Sequence, residues 1–277
     1  MKKSQISCAI WPWSIRTKEG FEAALKDVTD IGYRHFESTR GLLNVFELNS
    51  AEIGEIIKRN NIEVDSFYYH LPSKGNEGDV FDNLERELEA IAELNVKRLT
   101  LQGVYGRPEG EMDEKERQHN LNLMNKFANI AKTFGLATNV HPHVGTYFMY
   151  EDEIDYVMQN SDPNLIYFAP DTAHIAAADA DPVEVIRRYA DRVNFTHFKD
   201  YKLGNEVVYG GWVDSDVPIM ECFHGLGDGN VDFPEVIKIL DSVNYTGPLC
   251  TELDQTPTTN KDSAQKNYNY LCKYLED

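Results

Sequence analysis

The chain has 277 residues, 42% of them hydrophobic, with 46 acidic residues against 27 basic for a net charge of -19. Such a composition suits a globular protein with a sizeable core. The charge repels phosphate backbones and argues against nucleic-acid binding, and no apolar run reaches the roughly 18 residues of a membrane span. The four cysteines, Cys8, Cys222, Cys250 and Cys272, are far apart and never in CxxC spacing. That excludes a disulfide framework and a cysteine-type zinc site. The opening segment MKKSQISCAIWPW has too short an apolar stretch, broken by Pro12 and two Trp residues, to be a signal peptide. It reads as a first strand, and a cytoplasmic protein is expected.

Along the chain, short β-branched or aromatic runs alternate with stretches of helical periodicity. The first run is Gln5–Trp13, and a helix follows over Lys18–Ile31, ended by Gly32. Tyr33–Ser38 is the second strand, and Ser50–Asn60 the next helix, with Ser50 as its N-cap. Val64–Leu71 precedes a helix near Phe81–Leu94, and Val96–Gln102 precedes one near Asp113–Phe134. Leu136–His143 and the helix Tyr150–Gln159 come next, then Leu165–Pro170 and the helix Pro182–Tyr189, with Pro in its first turn. Val193–Lys199 is the seventh strand. A long polar excursion, Tyr201–Asp232, leads to the helix Phe233–Val243, the strand Pro248–Leu253 and the helix Ser263–Leu275.

Strands alternating with helices imply a parallel sheet with crossover helices. Eight such units predict an α/β fold, a single (β/α)8 TIM barrel over residues 1–277. A doubly wound open sheet is the rival, but the first strand-to-helix turn has no GxGxxG loop.

Barrels work at the C-terminal ends of their strands. Strand five ends in His141-Pro142-His143, strand six in Asp171 with His174 just beyond, strand seven in His197-Phe198-Lys199 and strand eight in Glu252. Period two puts His141 and His143 on one face, and likewise His197 and Lys199. Imidazole with carboxylate suits Mn2+, Co2+, Fe2+ or Zn2+. Each residue has an ordinary structural use; Asp171, for example, stands where a helix N-cap would. The coincidence of four successive strand ends is what points to a metal site.

These residues carry a resemblance. HPHVGT at 141–146, PDTAH at 170–174, HFKD at 197–200, GLGDGNVDF at 225–233 and ELDQTP at 252–257 resemble the xylose isomerase-like TIM-barrel proteins. That family includes sugar isomerases, epimerases and inosose dehydratases. Among them the pattern is most similar to inosose dehydratase, and similar in the same way to the alpha subunit of C-glycoside deglycosidases. The resemblance implies a divalent metal, manganese first with cobalt or zinc as alternatives, on Asp171, His197 and Glu252. The glutamate that the family places on strand five is here His141, with His143 close enough to exchange roles with it. Epimerases of the family use two glutamates as their acid and base, so this departure favours elimination over epimerisation.

The expected mechanism has His143 remove the proton α to the ketone of an oxo-sugar or keto-cyclitol, its imidazole titrating near working pH. His174 is a candidate acid for the departing group. Lys199 holds a substrate oxygen or stabilises the enolate, unless it is spent on a salt bridge to Asp200 or Glu252. Trp11, Trp13, His70 and Gln102 are candidate substrate contacts, and Glu37 is expected to hold neighbouring chain. Trp212 and His224 lie in the long excursion, which suggests a lid. The alternatives are a metal-dependent isomerase or epimerase and a non-catalytic binding subunit. The deglycosidase resemblance further implies a small partner subunit.

Overall fold

The computed structural model describes residues 1–107, 110–202, 222–254 and 258–277. The barrel strands are β1 (Ile6–Ala9), β2 (His35–Thr39), β3 (Glu63–His70), β4 (Arg98–Gln102), β5 (Ala137–His141), β6 (Ile166–Phe168), β7 (His197–Phe198) and β10 (Leu249–Thr251). They form one parallel sheet in the order β6-β5-β4-β3-β2-β1-β10-β7. The seam between β6 and β7 is closed by isolated parallel bridges, Phe168 to Val193 and Asp171 to His197. There the His197 N–H donates to the Pro170 carbonyl at 2.9 Å. The TIM barrel that the alternating pattern predicts is the observed fold.

Helices α1 (Lys18–Ile31), α2 (Gly41–Val45), α3 (Ser50–Arg59), α4 (Gly78–Phe81), α5 (Leu84–Glu93) and α6 (Glu114–Thr133) surround the first half. Helices α7 (Glu151–Asn160), α8 (Thr172–Ala177), α9 (Pro182–Tyr189), α10 (Phe233–Ser242) and α11 (Asn260–Leu271) surround the second. Their apolar stripes face the sheet. On α1, Phe21, Leu25 and Val28 are fully buried, and the Phe21 ring meets Phe36 of β2 at 6.0 Å and Phe46 at 5.8 Å. Each such side chain contributes roughly 1.5–3 kcal/mol by leaving water. Gly32 stops α1 at φ 126°, with its N–H returned to Val28 and Thr29, a conformation side chains resist.

Local chemistry moves some expected boundaries. Asn49, not Ser50, caps α3, its side chain accepting from Glu52 N at 3.2 Å. The helix expected near Phe81–Leu94 is two, α4 and α5. β7 is only two residues long, because bridges rather than a ladder carry the closure. After β7 the chain forms a small antiparallel hairpin, β8 (Asp200–Tyr201) with β9 (Phe223–His224).

Two devices fix the loops at the C-terminal end of the barrel. The segments after β4 and β5 are joined: Tyr105 bridges Thr146, and Tyr147 N donates to Val104 O at 2.9 Å. Gly103 allows this approach, since a Cβ there would lie 2.8 Å from Phe148 Cβ. After β7, the Asp200 carboxylate accepts from the backbone N–H groups of Tyr201, Gly227, Gly229 and Val231 at 2.8–3.0 Å. Gly229 is required there, because a Cβ would stand 2.3 Å from Asp200 Oδ1. The glycines of the GLGDGNVDF segment thus have a mechanical reason.

Candidate metal centre

Register brings the strand ends together. Gln102 of β4 pairs with His141 of β5, Asp171 bridges His197, and Cys250 of β10 pairs with His197. His141, Asp171 and His197 have no exposed surface, and Glu252 is buried beside them. His197 Nδ1 lies 3.1 Å from His141 Nδ1 and 3.0 Å from Glu252 Oε2. The ligand atoms of His141, Asp171 and His197 all lie within 4.8 Å of one another, as do those of Asp171, His174 and Glu252.

Asp171 serves two ends. Its Oδ1 accepts from Ala173 N at 2.9 Å and His174 N at 2.8 Å, capping α8. Its Oδ2 is left inside the site, 3.3 Å from Lys199 Nζ. The cap expected as a structural alternative is therefore real, and it leaves the second oxygen free to act as a ligand.

Lys199 is fully buried. Its ammonium lies 2.9 Å from Glu252 Oε1, 2.8 Å from Asp254 Oδ2 and 3.0 Å from His174 Nε2. The expected salt bridge to Glu252 is present. The one to Asp200 is not, because Asp200 is occupied by backbone amides. Phe223 of β9 covers this corner, its ring 4.6 Å from Lys199 Nζ and 4.8 Å from the His174 ring.

Burial opposes charge on every group here, and neighbours decide the outcome. Burial works against the Glu252 carboxylate, yet Lys199 and His197 hold its pKa well below the ordinary range. Burial likewise opposes the His197 cation, but Glu37 and Glu252 hold its pKa well above that of a free histidine. Asp171 is pushed by burial up to about 8, against the pull of Lys199. His143, buried and next to Lys199, falls to about 3. That overturns the expectation that it titrates near working pH. It is a neutral imidazole whose Nδ1–H donates to Val144 O at 2.7 Å, leaving Nε2 as the basic nitrogen. His174 is held well below its ordinary pKa by burial and by His143. It too is neutral, which removes it as a protonated acid acting alone.

The donor set fits a divalent cation. His141 Nε2 is a buried side-chain atom without a hydrogen-bond partner, a costly condition that a ligand would relieve, while Asp171 Oδ2 and Glu252 Oε2 are held inside the site by ion pairs to Lys199 at 3.3 Å and His197 at 3.0 Å. Four carboxylates, Glu37, Asp171, Glu252 and Asp254, are gathered around one lysine and His197, an excess of negative charge that a dication offsets. Two imidazoles with two carboxylates are borderline ligands suited to first-row divalent ions.

The other candidates divide. Trp11 stands over the site, its ring 5.5 Å from Tyr68 and 5.8 Å from His197. Trp13 does not: it is core, and its indole donates to Asp27 of α1 at 3.0 Å. Gln102 is fully buried and accepts from Tyr68 OH at 2.7 Å, so it positions Tyr68. His70 is exposed, and its ring lies 5.1 Å from Tyr68. His224 sits on β9 opposite Asp200. Trp212, and Gln255 of the ELDQTP motif, lie outside the described residues. Sequence reasoning missed Tyr68, Tyr105 and Phe223. Tyr105 is 40% exposed and lies between the rings of His70 at 6.3 Å and His143 at 6.1 Å. Its position immediately after a strand end was the available signal.

Comparison with known proteins agrees with this architecture. A family model described as xylose isomerase-like TIM barrel matches residues 25–274. An inosose dehydratase of Clostridium botulinum (strain Alaska E43 / Type E3) is 26% identical over 257 residues, 86% of this chain and 83% of that protein. One from Clostridium perfringens (strain 13 / Type A) is 33% identical over 148 residues, 53% of this chain and half of that protein's length. Among solved structures, the probable 3-DHS dehydratase AsbF of Bacillus anthracis superposes with a TM-score of 0.78 at 13% identity, covering 98% of this chain and 99% of that one. The IolI protein with a binding zinc atom superposes at 0.76 with 13% identity, covering 99% and 100%. The chain belongs to the xylose isomerase-like TIM-barrel family.

Proposed function

We propose that this protein is a divalent-metal-dependent lyase acting on an oxo-sugar or keto-cyclitol, with His141, Asp171, His197 and Glu252 as the metal ligands. Support comes from the buried, unpartnered His141 Nε2 beside the buried carboxylates of Asp171 and Glu252, from relatives named as dehydratases and from a fold neighbour described with zinc. Mn2+ is the ion to try first, with Co2+ and Zn2+ after it. When bound, such an ion polarises a carbonyl and stabilises negative charge growing on its oxygen.

The observation that carries the reading is an asymmetry. The end of β5 and the turn after it contribute His141 and His143 where a two-carboxylate epimerase has a glutamate, and the carboxylates gather instead around Lys199. His143 Nε2 takes the proton α to the ketone. Lys199 Nζ, three times ion-paired, steadies the oxygen on which charge develops. The Lys199 charge opposes protonation of the His143 ring, so the transfer relies on the negative charge that develops on the ketone oxygen to offset it. The C–O bond β to the ketone then breaks with its electron pair on oxygen. The departing group takes back the proton from His143, with His174 packed against that ring at 3.8 Å. Cleavage of a 3-oxo-O-glycoside is the same chemistry with the aglycone hydroxyl leaving in place of water, whereas a 3-oxo-C-glycoside breaks a C–C bond and the aglycone carbon takes the electron pair and the proton.

The test is product analysis in D2O with Mn2+-loaded protein, an inosose and a 3-oxo-glycoside. Release of water or aglycone supports the lyase. Exchange of the α hydrogen with epimer formation and no release supports the isomerase alternative. Turnover of neither, with no metal bound, supports a binding subunit. Co-purification of a small neighbouring protein tests the partner subunit.

A further inference from the structure

Among the described residues, Glu37 is the one site carboxylate with no hydrogen bond or ion pair to Lys199 or Asp171. It lies in the middle of β2 with no exposed surface. Its Oε1 accepts from Thr100 Oγ1 at 2.5 Å, and Thr100 is in turn 3.0 Å from Ser66 Oγ. Its Oε2 meets His197 Nε2 at 2.5 Å. One oxygen is thus anchored through β4 and β3, and the other engages a ring standing on β7. A fully buried carboxylate is expensive to desolvate, so this placement calls for a use.

The opposite nitrogen of the same ring supplies it. His197 Nδ1 points to the centre, near His141 Nδ1 and Glu252 Oε2. A histidine that binds metal through one nitrogen is commonly fixed through the other by a carboxylate, which sets the tautomer and strengthens the ligand. We propose that Glu37 is the positioning residue of the site: it takes the Nε2–H of His197 and so commits Nδ1 to the metal. Thr100 and Ser66 hold Glu37 in turn. This rests on His197 being a ligand, as proposed above. A rival arrangement exists, because Glu37, His197 and Cys250 also bring their ligand atoms within 4.8 Å of one another. In that case Glu37 would bind a second ion directly.

The experiment compares wild type with Glu37→Gln, Glu37→Asp and Cys250→Ser. Mn2+ affinity is measured by chelator competition, stoichiometry by elemental analysis, and the His197 tautomer by 15N-detected imidazole NMR on metal-free and Zn2+-loaded protein. Glu37→Gln should weaken Mn2+ binding about ten- to a hundredfold and change the His197 nitrogen shifts. Glu37→Asp, keeping the charge but not the reach, should recover part of the affinity. Cys250→Ser should leave one ion per chain. Unchanged affinity and unchanged His197 shifts in Glu37→Gln would overturn the proposal. So would two ions per chain in wild type, one of them lost in both Glu37→Gln and Cys250→Ser. Wild-type protein that binds no Mn2+ or Zn2+ overturns the metal reading itself, a result distinct from either.

Discussion

The His143 and His174 rings pack with their centroids 3.8 Å apart and their planes 34° from parallel. His141 stands 5.9 Å from the first and 5.8 Å from the second. Three imidazoles therefore share one wall, yet only His141 presents a buried nitrogen without a partner. The roles should separate by mutation. His143→Ala should lower turnover by about 10²–10⁴ while the protein still binds Mn2+; His141→Ala should lose the metal. Elemental analysis beside steady-state kinetics checks both, and the opposite pattern reverses the assignment.

Lys199 balances three carboxylates inside the barrel. Lys199→Met should destabilise the metal-free protein by about 3–5 kcal/mol, the usual cost of leaving buried charge unpaired. Added Mn2+ should return part of that loss by binding the folded state. Urea unfolding with and without the ion measures both. An unchanged midpoint would mean the carboxylates do not depend on this ammonium.

His35, at the start of β2, has its pKa raised by its hydrogen bond to Asp65 at 3.1 Å. A folded pKa above the unfolded value gives stability that is complete below the ordinary histidine pKa of about 6.5. It is lost as pH rises through the folded pKa. His35→Gln should therefore lag wild type in urea midpoint at pH 5 and approach it by pH 9. A gap that stays constant with pH would show that the pair contributes nothing through protonation.

Tyr105 is held on the rim by its bridge to Thr146 and flanks His143. If it stacks on substrate, Tyr105→Ala should raise KM severalfold for a 3-oxo-glycoside with an aromatic aglycone, where stacking is worth about 0.5–1.5 kcal/mol. The effect on an inosose should be smaller. Equal effects on the two would remove Tyr105 as a specificity element.

Long periodic segments were legible in the sequence. Helix α1 runs over Lys18–Ile31 as its pattern and Gly32 require, and α9 over Pro182–Tyr189. Helix α8, six residues long, was too short to show a period, and its cap Asp171 was its only trace. Strand-end logic anticipated that His141, Asp171, His197 and Glu252 lie beside one another. It failed for Trp13, where the chain has already left β1 and turned, Trp13 N donating to Ile10 O at 3.2 Å, so period two no longer applies. The part played by Glu37 was hidden for another reason: its partner His197 is 160 residues away, and no local pattern encodes a pairing across the barrel.

The divided carboxylate of Asp171 has a consequence for how this position can vary. Asparagine would still cap α8, but it would bring a neutral amide to the centre. Glutamate would keep the charge, but its longer arm no longer suits the amides at the helix start. In the proposed centre one position thus answers to two independent demands, the observed cap and the proposed chemistry, and aspartate meets both. Drift at this residue is closed off from either side, and the beginning of α8 is bound to the fate of the centre it borders.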